Sequence, residues 1–171
     1  STPLTVSFVD PTTMQITALV PMDGGDVRRS GNVAGIAVTH GGLSVQVVFT
    51  DLQVLEIDAA THEVVRNVRA FSTGDQEVIH VSVSADDTLL VAVRDTVTLS
   101  TFVQLRRFNL PGMDEQPALS LRSGPRFSPG PGRTLYRWQP EGTALTRLDL
   151  TNGTERLVPL GSALPTMITV V

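Results

Sequence analysis

The sequence has 171 residues, of which 41% are hydrophobic, and this is enough for one domain with a packed core. Its net charge is −4 and only 18% of its residues are charged, so the chain lacks the broad basic surface that nucleic-acid binding requires. It contains no cysteine, which excludes disulfides, thiolate metal sites and cysteine nucleophiles.

Runs of apolar and β-branched residues recur along the whole chain and predict an all-β fold. In chain order the runs are 4–9, 33–39, 43–49, 78–83, 88–93, 96–105, 134–138 and 167–171. Short segments rich in Gly, Pro, Asp and Asn separate them. No long window carries a helical period of apolar residues, so we expect short strands joined by tight turns.

Four Asp or Asn residues mark an internal repeat. Asp10, Asp58, Asn109 and Asp149 each end an apolar run and enter a turn, and they lie 48, 51 and 40 residues apart. Such a side chain accepts hydrogen bonds from the backbone of the turn that it begins. The spacing matches a four-stranded propeller blade, which takes about 40 to 50 residues.

Two kinds of turn carry a family resemblance. The segment 84–87, Ser-Ala-Asp-Asp, resembles the turn between the first two strands of YVTN-type and other WD40-like bacterial β-propeller repeats. The segment 127–130, Phe-Ser-Pro-Gly, resembles it too, and 57–65 is similar to the turn between the third and fourth strands. The resemblance implies a β-propeller and a habit of binding ligands or partners, and it implies no activity.

The repeat predicts one propeller-like domain, 1–171, with about 3.5 to 4 blades of four strands, a to d. Complete blades are expected at about 32–68, 77–119 and 125–159, with 109–120 as a long insert. The ends are left over, because 4–20 supplies only c and d strands and 165–171 only an a strand. The alternative fold is a β-sandwich.

The unmatched strands indicate an incomplete ring, for which three explanations are open. The chain can be part of a longer propeller, or a small closed ring with a reduced last blade. It can also be completed by another chain, since two copies would form an eight-bladed ring with two-fold symmetry.

Candidate partner-binding residues lie in the loops that join strand d to the next strand a and strand b to strand c. These loops collect acidic and basic side chains, and arginines there could form bidentate contacts with carboxylates. Phe71 is a candidate apolar anchor. The alternative is that these loops are polar because they are solvated. The candidates are Asp23, Asp26, Arg28, Arg29, Phe71, Asp75, Arg94, Asp95 and Arg122.

No pattern of catalytic or metal-binding residues emerges. His40, His62 and His80 are the only histidines, and they are 22 and 18 residues apart without a companion ligand nearby in sequence. We expect His40 and His62 in turns and His80 on a strand edge. The sequence predicts no catalytic residue, no metal and no cofactor.

The function favoured by the sequence is a non-catalytic propeller module, a scaffold or protein-binding subunit of a larger assembly. Its partner, or a second copy, would bind the orphan edge strands and the d–a and b–c loops. The alternative is a fragment of a propeller enzyme, lactonase-like or quinoprotein-like, with its active site largely outside this chain. We expect no nucleic-acid partner and no membrane span. The resemblance and the absence of Cys suggest the bacterial periplasm or cell exterior, although no signal-peptide pattern is present.

Overall fold

Every element that the structure describes is a β-strand. The computed structural model describes residues 4–22, 32–69, 75–97, 102–110, 112–122, 126–138 and 144–159. The strands are β1 Thr5–Val9, β2 Ile16–Pro21, β3 Val33–Val38, β4 Ser44–Phe49, β5 Gln53–Asp58, β6 Val64–Arg69, β7 Gln76–Val83, β8 Thr88–Asp95, β9 Phe102–Asn109, β10 Asp114–Arg122, β11 Arg126–Pro129, β12 Thr134–Trp138, β13 Ala144–Asp149 and β14 Glu155–Pro159.

The strands form three four-stranded sheets and one two-stranded sheet. Blade I is β3-β4-β5-β6, blade II is β7-β8-β9-β10 and blade III is β11-β12-β13-β14, and in each the strands pair in chain order. All the pairs are antiparallel. The remaining pair, β1-β2, forms a half-blade. This all-β meander confirms propeller blades, and the sandwich alternative fails because consecutive strands do not alternate between two facing sheets.

Three apolar clusters join neighbouring sheets face to face. Blades I and II have apolar residues on both faces, because both faces are covered, and strand β8 of blade II is buried from Thr88 to Val93. Between the half-blade and blade I lie Val20, Met22, Val45, Val47, Phe49, Leu55 and Ile57. Between blades I and II lie Val48, Leu52, Val54, Leu89, Val91, Val93 and Phe108. Between blades II and III lie Leu90, Ala92, Val103, Leu105, Leu121, Phe127, Leu135, Leu148 and Leu150.

The first strands of the blades, β3, β7 and β11, lie next to one another. β3 and β7 approach closely at Gly35, where an added Cβ would be 2.7 Å from Val81 Cβ. A side chain larger than hydrogen at residue 35 would therefore collide with β7, which accounts for glycine inside this strand. The ring is open, because the half-blade and blade III are its two ends among the described strands.

The predicted Asp and Asn positions begin four equivalent c–d turns. In each, the backbone N–H four residues later donates to the carbonyl of the Asp or Asn. That donor residue has positive φ in all four turns, at Met14, His62, Met113 and Gly153. The repeat inferred from the sequence is thus a repeat of backbone conformation, although only one turn uses the glycine that this conformation favours.

Two details of the prediction are wrong. A continuous strand was expected at 96–105, but β8 ends at Asp95 and β9 begins at Phe102. Segment 109–120 is no insert, because it forms a c–d turn and most of β10. Pro117 lies in this strand at a register shift, which bends the ladder where proline cannot donate a hydrogen bond. The predicted a strand at 165–171 lies outside the described residues.

Candidate binding surfaces

Five of the nine predicted partner-binding residues lie outside the residues that the structure describes. They are Asp23, Asp26, Arg28, Arg29 and Phe71. Their role stays a prediction.

The other four predicted residues lie at one end of blade II. Asp75 precedes β7, and its carbonyl accepts hydrogen bonds from Thr96 N and Oγ1. Arg94 Nη2 lies 2.5 Å from Glu77 Oε2, with both side chains about half exposed. Asp95 Oδ1 accepts from Val97 N at 2.8 Å. Arg122, on β10 opposite Phe102, is also exposed. The structure thus brings these residues together, but the Arg94 guanidinium already has a carboxylate partner.

The opposite face of the molecule carries the a–b turns, which hydrogen bonds and an ion pair link from blade to blade. His40 N in blade I donates to Asp87 Oδ1 in blade II at 2.7 Å. Arg133 Nε in blade III lies 2.6 Å from Asp86 Oδ2 in blade II. Two adjacent carboxylates in one turn therefore hold both neighbouring blades. Burial opposes ionisation of Asp86, but its bond from the Ser84 hydroxyl and the charge of Arg133 together lower its pKa.

A cleft of about 610 Å³ lies where the three a–b turns meet. Its lining includes Val38 and Val83 at the ends of two first strands and the Pro-Gly-Pro-Gly segment 129–132. The Thr39 and Ser84 hydroxyls also line it, yet both bond within their own turns. The cleft is therefore an open, mostly apolar recess beside the a–b turns, with few polar groups available to orient a ligand.

The c–d turns on the same face hold ionised aspartates. Asp58 Oδ1 accepts from Ala60 N and Thr61 N at 2.8 Å each, and Asp10 Oδ1 and Asp149 Oδ1 accept equivalent bonds. These backbone N–H groups lower the pKa of all three carboxyls. Fixed negative charges therefore lie in the c–d turns of the half-blade, blade I and blade III, while Asn109 leaves the equivalent turn of blade II uncharged.

The histidines are separated in space as in sequence. His40 lies in the exposed a–b turn of blade I, while His62 lies in a c–d turn with its ring centroid 4.5 Å from that of Phe8. His80 is on the edge strand β7, where its Nε2 lies 3.0 Å from Ser82 Oγ and burial lowers its pKa to about 4. Within the described residues, no group of three or more His, Cys, Asp or Glu side chains is placed to hold a metal ion.

Among the described strands, β1 of the half-blade pairs on one side only, with β2. Leu4 O accepts from Met22 N and Asp10 N donates to Gln15 O, so even-numbered residues of β1 direct their backbone toward β2. Because an antiparallel ladder alternates, the N–H and C=O of Thr5 and Ser7 point to the free edge. On the uncovered face of the same sheet, Val9, Ile16 and Leu19 are 46%, 60% and 58% exposed. The edge and the face together form a surface suited to further strands.

Comparison with solved structures assigns the fold to the WD40-like β-propellers. The chain is similar to the structure of U3-55K over 87% of its own length and 43% of that chain, with a TM-score of 0.62 and 9% identity. It is also similar to hydrazine synthase of Kuenenia stuttgartiensis, at 91% and 43% coverage, a TM-score of 0.58 and 19% identity. The RRP9 WD40 repeats match over 75% of this chain and 38% of theirs, with a TM-score of 0.55 and 10% identity.

This chain therefore spans less than half the length of the propellers that it resembles. At these identities the likeness concerns the fold alone. No protein-family profile and no curated protein matches the sequence. Within the parts of the chain that the structure describes, no helix has the length and apolarity needed to cross a membrane.

Sequence reasoning selected the d–a and b–c loops and missed the face formed by the a–b and c–d turns. The signal was present, because three of the four residues that mark the repeat, Asp10, Asp58 and Asp149, are the ones that charge this face. Asp86 and Asp87 were also visible as a pair, but their contacts with Arg133 and His40 require the blades to be packed.

Proposed function

We propose that this chain is a non-catalytic, protein-binding module that contributes about half of a β-propeller ring. The observation that carries the proposal is the half-blade, whose two strands stand beside three complete four-stranded blades. Its similarity to less than half of each larger propeller supports the same conclusion. Propellers avoid free strand edges by closing their ring or protecting it, so an exposed edge in this fold calls for further strands.

The binding surface would consist of the β1 edge and the uncovered face with Val9, Ile16 and Leu19. Blades I and II each pack both faces against a neighbouring sheet, blade III packs one face against blade II, and these interblade faces are apolar. The uncovered face of the half-blade carries the same kind of side chain. We take a second copy of this chain as the partner, because its blades have apolar faces of the same kind. The pure protein in solution already contains this partner.

Light scattering over a range of concentrations tests the proposal. We expect mass above that of one chain, and we expect Ile16→Lys with Leu19→Lys to restore the monomer, because two charges would lie in the apolar contact. Leu157→Lys is the matched control, since Leu157 is 70% exposed on β14, away from the half-blade. A monomer whose Thr5 and Ser7 amides exchange slowly with solvent would contradict the proposal, because the chain would then cover its own edge.

The blade II cluster of Asp75, Arg94, Asp95 and Arg122 is a second contact region within this proposal. Its exposed mixed charges suit a polar rim around an apolar contact. We also propose a bacterial periplasmic or extracellular location, which rests on the resemblance to bacterial repeats and the lack of cysteine. Fractionation of the source cells tests the location.

A further inference from the structure

A small pocket opens between blades I and II on the face of the a–b and c–d turns. Its volume is about 260 Å³, comparable to one long side chain rather than to a large ligand. Three of its lining residues are carboxylates, Glu56, Asp58 and Asp87, and two are the leucines Leu43 and Leu110. No half-blade residue lines it, and it shares only Thr39 with the cleft at the a–b turns.

The carboxylates give the pocket a negative charge. Glu56 is 8% exposed, and its Oε2 lies 3.5 Å from Arg66 Nε. Asp58 and Asp87 each use Oδ1 to accept backbone N–H groups, which orient both carboxylates without adding a positive charge. With Arg66 counted against Glu56, two formal negative charges remain at the pocket.

A buried hydrogen-bond acceptor next to the pocket independently indicates that a ligand there would carry a hydrogen-bond donor. Gln46 is 0% exposed, and its Nε2 donates to Ser44 Oγ at 3.1 Å. Among the described residues, no donor lies within hydrogen-bonding distance of Gln46 Oε1. Ser44 and Glu56 both line the pocket, and Glu56 is the cross-strand partner of Gln46, so their side chains share one face of blade I. The buried Gln46 side chain therefore lies directly behind the lining residues Ser44 and Glu56, and its unsatisfied amide oxygen is costly there.

The lining combines acceptors at the base with apolar side chains at the sides. Leu43 is 75% exposed and supplies an accessible apolar side to the pocket. An arginine side chain meets both requirements, because its stem is apolar and its guanidinium has five donors in a planar fork. A metal ion is a poorer match, since these three carboxylates are not placed to share one.

We propose that this pocket binds a cationic side chain of a protein partner, and arginine in particular. The guanidinium would contact Asp58 and Asp87 and approach Gln46 Oε1, while the stem lies between Leu43 and Leu110. The partner is thus a protein with an exposed basic residue. The site goes beyond the proposed completion of the ring, since it lies on another surface and either proposal can fail alone.

A titration of the full 171-residue chain tests the site. N-acetyl-argininamide is added at low salt while amide shifts are followed by NMR, and the uncharged citrulline analogue serves as the probe control. We expect shifts at Leu43, Ser44 and Leu110, with a dissociation constant on the order of millimolar, as for one side chain. Asp58→Asn with Asp87→Asn should weaken binding about tenfold by removing two charges. Both asparagines retain the Oδ1 acceptor, and asparagine tolerates the positive φ of residue 87.

The matched control is Asp10→Asn with Asp149→Asn, which removes two charges from equivalent turns that do not line the pocket. Its affinity should equal that of the unaltered chain. Equal weakening in both double variants, equal binding of the citrulline analogue, or no shift at the pocket amides would overturn the proposal. Shifts with Ca²⁺ but not with the arginine probe would overturn it in favour of a metal.

Discussion

The contact between blades I and II and the contact between blades II and III share one geometry but depend on different interactions. Blades I and II approach closely at Gly35 and Val81, and the backbone N–H of His40 donates to the Asp87 carboxylate at the face of the turns. Blades II and III use two charged residues instead. Arg133 pairs with Asp86, and Arg107 donates from β9 to the carbonyls of Pro117 and Leu150.

This difference shows that the propeller repeat specifies where blades meet but not how they are held. The apolar clusters are alike in both contacts, since both are built from leucine, valine and phenylalanine. The polar contacts lie at the edge of each cluster and differ completely. Close packing is sensitive to added volume, whereas buried polar contacts are sensitive to the loss of a partner.

The largest effect is expected from Arg107→Met. Arg107 is 7% exposed and its guanidinium satisfies two carbonyls, one of them across the blade boundary. Methionine keeps much of the volume but leaves both carbonyls without these donors, so we expect a loss of about 3 kcal/mol in the free energy of unfolding. Urea denaturation measures it. Arg106→Met is the control, since its pair with Glu115 is partly exposed and should contribute under about 1 kcal/mol.

Gly35→Ala should destabilise the contact between blades I and II by about 2 kcal/mol, because the new methyl group overlaps Val81. The same substitution should cost less in a Val81→Gly background, because that background lacks both the Cβ atom 2.7 Å and the Cγ2 atom 2.8 Å from the added Cβ. Urea denaturation of the four proteins gives the coupling. If the two substitutions are additive, the clash is not the cause.

Asp87→Ala should cost about 1 kcal/mol, because the bond from His40 N is lost while the positive φ of 54° stays unfavourable. Asp87→Gly loses the same bond but relieves the backbone, and should therefore be less destabilising. Thermal denaturation compares the two variants. The reverse order would show that the Asp87 side chain does not hold blade I.

The smallest effect per residue is expected in the c–d turns, which occur in every blade. The pKa values of Asp10, Asp58 and Asp149 lie below the ordinary 3.8 in the folded chain. Their contribution is therefore fully present above about pH 4 and is lost as the pH falls through the folded-state values. Replacing all three with asparagine should flatten the stability profile below pH 4, as measured by denaturation at pH 7, 4 and 3. An unchanged profile would assign acid sensitivity to other groups.

The sequence was informative where a residue acts within its own turn. Asp10, Asp58, Asn109 and Asp149 revealed the blades because an Asx turn needs its acceptor at a fixed place. The strand count followed, and with it the open ring. Segment 96–105 was misjudged because alternating Thr, Val, Leu and Phe residues suit a strand whether or not the chain turns within them.

Residues that act between blades could not be predicted in the same way. His40 and Asp87 are 47 residues apart, and Arg107 and Leu150 are 43 apart. Gln46 is the clearest case, because its place between Val45 and Val47 indicates a solvent-facing polar residue on an alternating strand. Blade II covers that face, so the side chain is buried instead. Only the packing of a second sheet shows that the Gln46 side chain is a buried acceptor next to the pocket lining.

Pairing of strands strictly in chain order has a consequence for the timing of folding. Each blade can form as soon as its own four strands have left the ribosome, because no strand must wait for a distant partner. The half-blade emerges first and gains its apolar cover only when β4 and β5 have been synthesised. Folding during synthesis then proceeds blade by blade, and each new blade packs against the blade that formed before it.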